Sequence, residues 1–247
     1  LARDARVLGG GSAQVTPPYA ISPLEGLSRA LPGVDVAYAV GADPRPFLPA
    51  LAAEATVTLL GAGHEFTVDR AAVRWIGDLP GGVAVDDVTG LRMRATFTPE
   101  AGGEHVFAVS GFGTFTMSVD GRGVYDGTLH PPGTGRADLL LSPREQRAAV
   151  TLAAGVPVEV VLTQTIGPGA AHSVATTIGH RAPGPDPDGM IAEAVAVAAE
   201  SDVAVVVVGT TEQVESEGFD RTSLALPGRQ DELVARVAGA NPRTVVV

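Results

Sequence analysis

The chain has 247 residues, 45% of them hydrophobic, 18% charged and 4% aromatic, with 31 Gly, 19 Pro and no Cys. This apolar content supports a sizeable core and excludes wholesale disorder, while the lack of Cys excludes disulfides, thiolate nucleophiles and Cys-ligated zinc. The formal charge is -11, with 17 basic residues, all Arg, against 28 acidic ones; no apolar run reaches the roughly 18–20 residues of a membrane span, so neither nucleic acid nor a membrane is expected as a partner.

Three zones follow one another. In residues 1–45, Val7-Leu8 leads into the glycine run Gly9-Gly10-Gly11-Ser12. Ser22 before Pro23 is the signature of an N-cap with Pro at the first helical position, and predicts a short helix Pro23–Leu31 stopped by Pro32-Gly33. Val34–Val40 alternates as a strand. Residues 46–182 carry an all-β pattern. Strands are expected at Leu91–Thr98, Glu104–Ser110, Phe112–Val119, Val156–Gln164 and Val174–Ile178, with Asp120-Gly121 as a hairpin turn. Short strands with turns at this spacing predict a sandwich or barrel.

The third zone, residues 183–247, opens with the linker Pro183-Gly184-Pro185-Asp186-Pro187. Met190–Ser201 reads as a helix. Asp202–Gly209 reads as a strand buried on both faces of a parallel sheet, Arg229–Ala238 as an amphipathic helix, and Thr244–Val247 as another buried strand. The outer zones therefore share an α/β pattern and the middle is β, which predicts a β domain inserted into a loop of an interrupted α/β domain. The chain opens on Leu1-Ala2-Arg3 and stops within an apolar run, so it is expected to be a piece of a longer protein.

The chemistry concentrates in Thr210–Arg221, just beyond the carboxyl end of the predicted strand, where open α/β sheets collect ligands and catalytic groups. Glu212, Glu215, Glu217, Asp220 and Arg221 fall within ten residues. Close carboxylates raise one another's pKa, which suits a general acid, and an Arg can orient one of them. The same residues also fit an exposed acidic loop without chemistry.

Glu215-Ser216-Glu217-Gly218-Phe219-Asp220-Arg221, followed by Leu224-Ala225-Leu226-Pro227-Gly228 and Gln230, resembles the C-terminal α/β-sandwich domain of glycoside hydrolase family 3, the β-glucosidase family. Leu8–Ser12, Val15-Thr16-Pro17 and Ser22–Gly26 resemble the start of that domain. The middle zone, through Arg94–Pro99, Gly102-Gly103, Val106-Phe107 and Val119-Asp120-Gly121, resembles a protective-antigen-type (PA14) β-sandwich carried by some members.

The resemblance implies a retaining hydrolase of β-linked glucosides that needs no metal and no cofactor. Its nucleophile Asp would sit on a separate (β/α)8 barrel, which this chain lacks. Its acid/base would be Glu217, or Glu215 in the looser alignment with plant-type relatives. Gly218, Phe219, Asp220 and Arg221 would contact substrate. The inserted domain would shape the outer substrate site, and the chain alone would have no glycosidase activity. The rival reading is a non-catalytic carbohydrate-binding module.

Other features carry less. The glycine run lacks the Gly-Lys-Ser/Thr of a phosphate loop and reads as a turn near the sugar site. The five His show no zinc spacing, and His105 is expected at the surface. No adjacent Asp pair occupies the loop where such sandwiches hold calcium; Asp86-Asp87 lies elsewhere. Trp75 and Tyr125 fit either sugar stacking or the core.

Overall fold

The structure, a computed structural model, describes residues 1–5, 7, 17–130, 144–167, 170–215, 221 and 223–247. The chain divides into two compact units. One is discontinuous, Leu1–Pro46 with Gly184–Val247, and the other is Phe47–Pro183.

Among its described residues the continuous unit is built of antiparallel strands, with short 3-10 turns at Pro80–Gly82, Val85–Asp87 and Ala170–His172. Its strands are β1 (Ala55–Leu60), β2 (His64–Val68), β3 (Ala72–Ile76), β4 (Gly90–Phe97), β5 (Gly103–Gly111), β6 (Gly113–Val119), β7 (Arg122–Leu129), β8 (Arg144–Leu152), β9 (Val158–Thr165) and β10 (Ser173–Arg181). They form a six-stranded sheet in the order β2-β1-β4-β9-β6-β7 and a four-stranded sheet in the order β3-β10-β5-β8. The expected strands are present with ends moved by up to a few residues. Asp120-Gly121 turns between the paired residues Val119 and Arg122, with φ of 50° and 73°. Positive φ at both central residues gives the turn a twist that matches the flanking strands, and Gly at the second position adopts it without a Cβ penalty.

The core follows from period-2 alternation. Leu91, Met93 and Ala95 of β4 point inward, as do Val158, Val160 and Leu162 of β9, and Phe115, Met117 and Val119 of β6. Val73, Phe107, Val109, Val150, Val174 and Ile178 of the four-stranded sheet join the same cluster. Gln164 of β9 is the polar exception. Its amide donates to Phe112 O (2.6 Å) and accepts from Thr176 Oγ1 on β10 (2.7 Å), so a buried polar link ties the two sheets. Trp75 packs on this core, and its Nε1 donates to Ala171 O (2.8 Å). Tyr125 also packs against it.

His105 is buried, 1% exposed, contrary to its expected surface position. Alternation along β5 puts it on the same side as Phe107, and Phe97 and His180 complete an aromatic cluster. Its Nε2 lies 2.9 Å from Ala101 O, which accepts only, so that nitrogen carries the proton. His105 Nδ1 is then the acceptor for His180 Nε2–H at 3.0 Å.

Burial, together with repulsion from His105, lowers the pKa of His180 to about 4. The unfolded chain, with an ordinary histidine near 6.5, binds this proton first. The contribution to stability is therefore full above about pH 6.5 and is lost as pH falls toward 4. Urea unfolding followed by Trp75 fluorescence should show a midpoint that drops between pH 7 and 4.5. The drop should be smaller in His180→Phe.

In the discontinuous unit, α1 (Pro23–Ala30) begins as expected, with Ser22 Oγ accepting from Glu25 N–H (3.2 Å). α2 (Pro187–Glu200) is capped by Asp186, whose Oδ1 accepts from Gly189 N–H (2.7 Å). β11 (Ala204–Val206), α3 (Gln230–Ala240) and β12 (Thr244–Val246) follow, and β11 pairs with β12 in parallel. Ile191, Ala194 and Ala198 of α2 meet Leu233 and Val237 of α3 over Ala204 and Val206. Buried Asn241 fixes the join, donating to Ala198 O (2.9 Å) and Ser201 O (2.8 Å).

Two expectations are corrected here. Val34–Val40 forms no strand, because no described segment pairs with it and supplies ladder hydrogen bonds. The predicted strand Asp202–Gly209 shrinks to Ala204–Val206 and is not buried on both faces. Val205 is 40% exposed, since α2 and α3 cover only the Ala204 and Val206 face.

Candidate functional site

The acidic loop begins where β11 runs out. The ladder with β12 extends past its regular pairs, Val247 N–H donating to Val206 O and Val208 N–H to Val247 O, both at 2.9 Å. The chain then leaves the sheet at Gly209, at the carboxyl edge where such folds place their chemistry. Gly209 has no strand partner on its other edge among the described residues, and a side chain takes that place. Its N–H donates to Gln230 Oε1 (2.9 Å), and Gln230 Nε2 donates back to Gly209 O (2.9 Å) and to Pro227 O (2.9 Å). Gln230 is 2% exposed, so an unpaired amide here would be costly, and the network uses its acceptor and both donors.

Within the loop the backbone N–H groups of Val214 and Glu215 donate to Thr211 O (2.8 and 3.1 Å), making a tight turn. Glu215 is engaged at both oxygens. Thr210 Oγ1 donates to Oε1 (2.8 Å) and Arg221 Nε to Oε2 (2.9 Å). The carboxylate that Arg221 holds is thus Glu215, and the pair ties one end of the loop to the other. Thr211 Oγ1 and Gln213 Oε1 are buried with no hydrogen-bond partner among the described residues. Glu217, Gly218, Phe219 and Asp220 lie outside the described residues, as do Gly9–Ser12.

Behind the loop, Gly228 has φ of 68°, and a Cβ there would sit 2.6 Å from the carbonyl oxygen of Asp43. Neither that conformation nor that approach suits an L side chain. Gly228→Ala is expected to destabilise this unit by about 1–3 kcal/mol, read as a fall in the helical unfolding transition by circular dichroism.

The sequence profile of the glycosyl hydrolase family 3 C-terminal domain matches residues 1–247. The chain belongs to that family. A beta-glucosidase of Rhizobium radiobacter is 36% identical over 259 residues, and beta-glucosidase B of Emericella nidulans is 36% identical over 267. Each alignment covers all of this chain but only 31% of the relative, so the chain spans about a third of the proteins it matches. The crystal structure of a beta-glucosidase from Kluyveromyces marxianus superposes with a TM-score of 0.81 at 24% identity. It covers 99% of this family 3 domain and 32% of the yeast chain, and it shows the fold.

Sequence reasoning placed the loop of this family 3 domain at the correct strand edge. It missed the roles of Thr210 and Gln230. Gln230 stands within the motif that carries the family resemblance, but its partner Gly209 is 21 residues away. Only the fold brings the two together. The legible signal was a polar residue on the inward face of an amphipathic helix, which has to find a partner.

Proposed function

We propose that this domain supplies the general acid/base of a retaining β-glucosidase, with Glu217 in that role. The nucleophilic Asp would come from a (β/α)8 barrel in the same protein. Glu217 would protonate the leaving oxygen as the glycosidic bond breaks and then, as a carboxylate, activate the water that releases the sugar. No metal or other cofactor enters this chemistry. Gly218, Phe219, Asp220 and Arg221 would lie against the substrate.

The observation that carries the choice between the two glutamates is the engagement of Glu215. Both of its oxygens are occupied, one by Thr210 and one by Arg221. With each oxygen turned to a partner on the protein, neither is free to meet a leaving oxygen. Glu215 therefore fits a strut better than an acid. The unit Phe47–Pro183 fits an inserted protective-antigen-type β-sandwich associated with carbohydrate.

The test is chemical rescue. Glu217→Ala in the complete enzyme should lose turnover of an aryl β-glucoside and regain part of it in azide, with β-glucosyl azide as product. A merely weaker affinity, without rescue, would support a carbohydrate-binding module instead. The 247-residue chain alone should release no nitrophenol from a nitrophenyl β-glucoside, because it holds one carboxylate of the required pair.

A further inference from the structure

The geometry points to Gln230 as a positioning residue for the acid/base loop, acting by locking both ends of that loop to the first turn of α3. This inference rests on the acid/base reading of Glu217. The loop leaves the sheet at Gly209 and rejoins regular structure at α3 after Pro227. One side-chain amide holds the two ends, through Gly209 N–H, Gly209 C=O and Pro227 C=O, each at 2.9 Å.

The contact with Gly209 has the form of a ladder rung. A donor and an acceptor on the side chain meet an acceptor and a donor on one residue, as a neighbouring strand would. Because Gln230 is almost completely buried, water does not compete for these bonds. Between the two ends, Glu215 braces Thr210 against Arg221. Residues 216–220 are thus flanked by fixed points on both sides, Glu215 and Arg221. A proton donor must stay within hydrogen-bond reach of the leaving oxygen, so the position of these fixed points sets the efficiency of proton transfer.

The alternative is that Gln230 stabilises the fold and nothing more. Two variants separate the roles. Gln230→Leu keeps the bulk and removes all three bonds. Gln230→Glu keeps the shape and the acceptor for Gly209 N–H but sets a carboxylate against two carbonyl oxygens. In the complete enzyme, each should lower kcat/KM about 100-fold for an alkyl β-glucoside, whose leaving group needs protonation, and less than about 3-fold for dinitrophenyl β-glucoside, whose leaving group does not. Equal losses on both substrates, or no loss on either, would overturn the positioning role.

Glu217→Gln, measured alongside, keeps the two levels of inference apart. If it shows the leaving-group dependence and the Gln230 variants do not, only the positioning role fails. If Glu217→Gln itself loses both substrates equally, the acid/base reading fails and the positioning role falls with it. A further measurement needs no variant. In the wild-type 247-residue chain, the Gly209 amide should exchange with deuterium at least 100-fold more slowly than an exposed loop amide. Exchange as fast as the exposed loop would mean that the lock does not hold, and would overturn the proposal.

Discussion

In the complete enzyme, Glu217→Gln is expected to lower kcat/KM for an alkyl β-glucoside by about 10²–10⁴-fold, the range that a positioned general acid contributes. Gln matches Glu in size but cannot donate a proton to a departing alkoxide. The loss should shrink as the leaving group becomes more acidic, and should nearly vanish for dinitrophenoxide in the first step. The second step also lacks its base, so glycosyl-enzyme should accumulate and appear as a burst of nitrophenol followed by slow turnover.

Glu215→Gln is the informative comparison. It keeps an acceptor for Thr210 Oγ1 and weakens the ion pair with Arg221. Its effect should be several-fold, similar for good and poor leaving groups. A steeper leaving-group dependence in Glu215→Gln than in Glu217→Gln would reverse the assignment of the two glutamates.

Phe107→Ala should give the largest loss of stability. Phe107 is fully buried on β5, packs edge-on against Phe97 at 5.9 Å between ring centres, and lies 4.9 Å from the His180 ring. Truncating a buried Phe costs about 3–5 kcal/mol, from lost transfer free energy and from the cavity left behind. Against a typical domain stability of about 5–15 kcal/mol this is a large fraction. For a unit of this length the midpoint should fall by on the order of 10–15 °C. Trp75 is the chain's one tryptophan and lies in this unit, so its fluorescence reports the transition. Val156→Thr, at a position 53% exposed, should leave the midpoint within about 2 °C.

The elements most legible in the sequence were those whose signals are local. Ser22-Pro23 set a cap, and Asp120-Gly121 set a hairpin. Alternation in β4, β6 and β9 set three strands of one sheet, because each buries one face. Strands β1, β2, β3, β7 and β8 were not read. Arg144–Leu152 is mostly exposed or half-exposed, so its alternation is faint. Arg122–Leu129 contains two glycines and buries little beyond Leu129. Both lie at sheet edges, where partners rather than burial define a strand.

The errors had the converse origin. Val34–Val40 has strand alternation but no partner strand among the described residues. His105 looks like a surface residue by type, and its burial depends on His180 and Ala101, contacts that chain order does not announce. The acidic loop was legible as a motif. Its internal wiring was not, since Glu215–Arg221 and Gln230–Gly209 are tertiary choices among several equally charged or polar neighbours.

The discontinuity of the first unit has a consequence for how the protein is made. Gly41 and Gly228 sit close against partners that are encoded far away, Leu233 in one case and Asp43 in the other. When the ribosome has delivered Leu1–Pro46, neither Leu233 nor Gly228 yet exists, so neither contact can form. The β unit is contiguous and can fold as soon as Pro183 emerges. It then shortens the effective tether between the two halves, replacing a long flexible loop by a folded body and lowering the entropic cost of bringing them together. Synthesis order thus lets the β unit mature before the discontinuous unit. A ribosome stalled once Pro183 has cleared the exit tunnel should carry a protease-resistant core beginning near Phe47, with the preceding segment still cleavable.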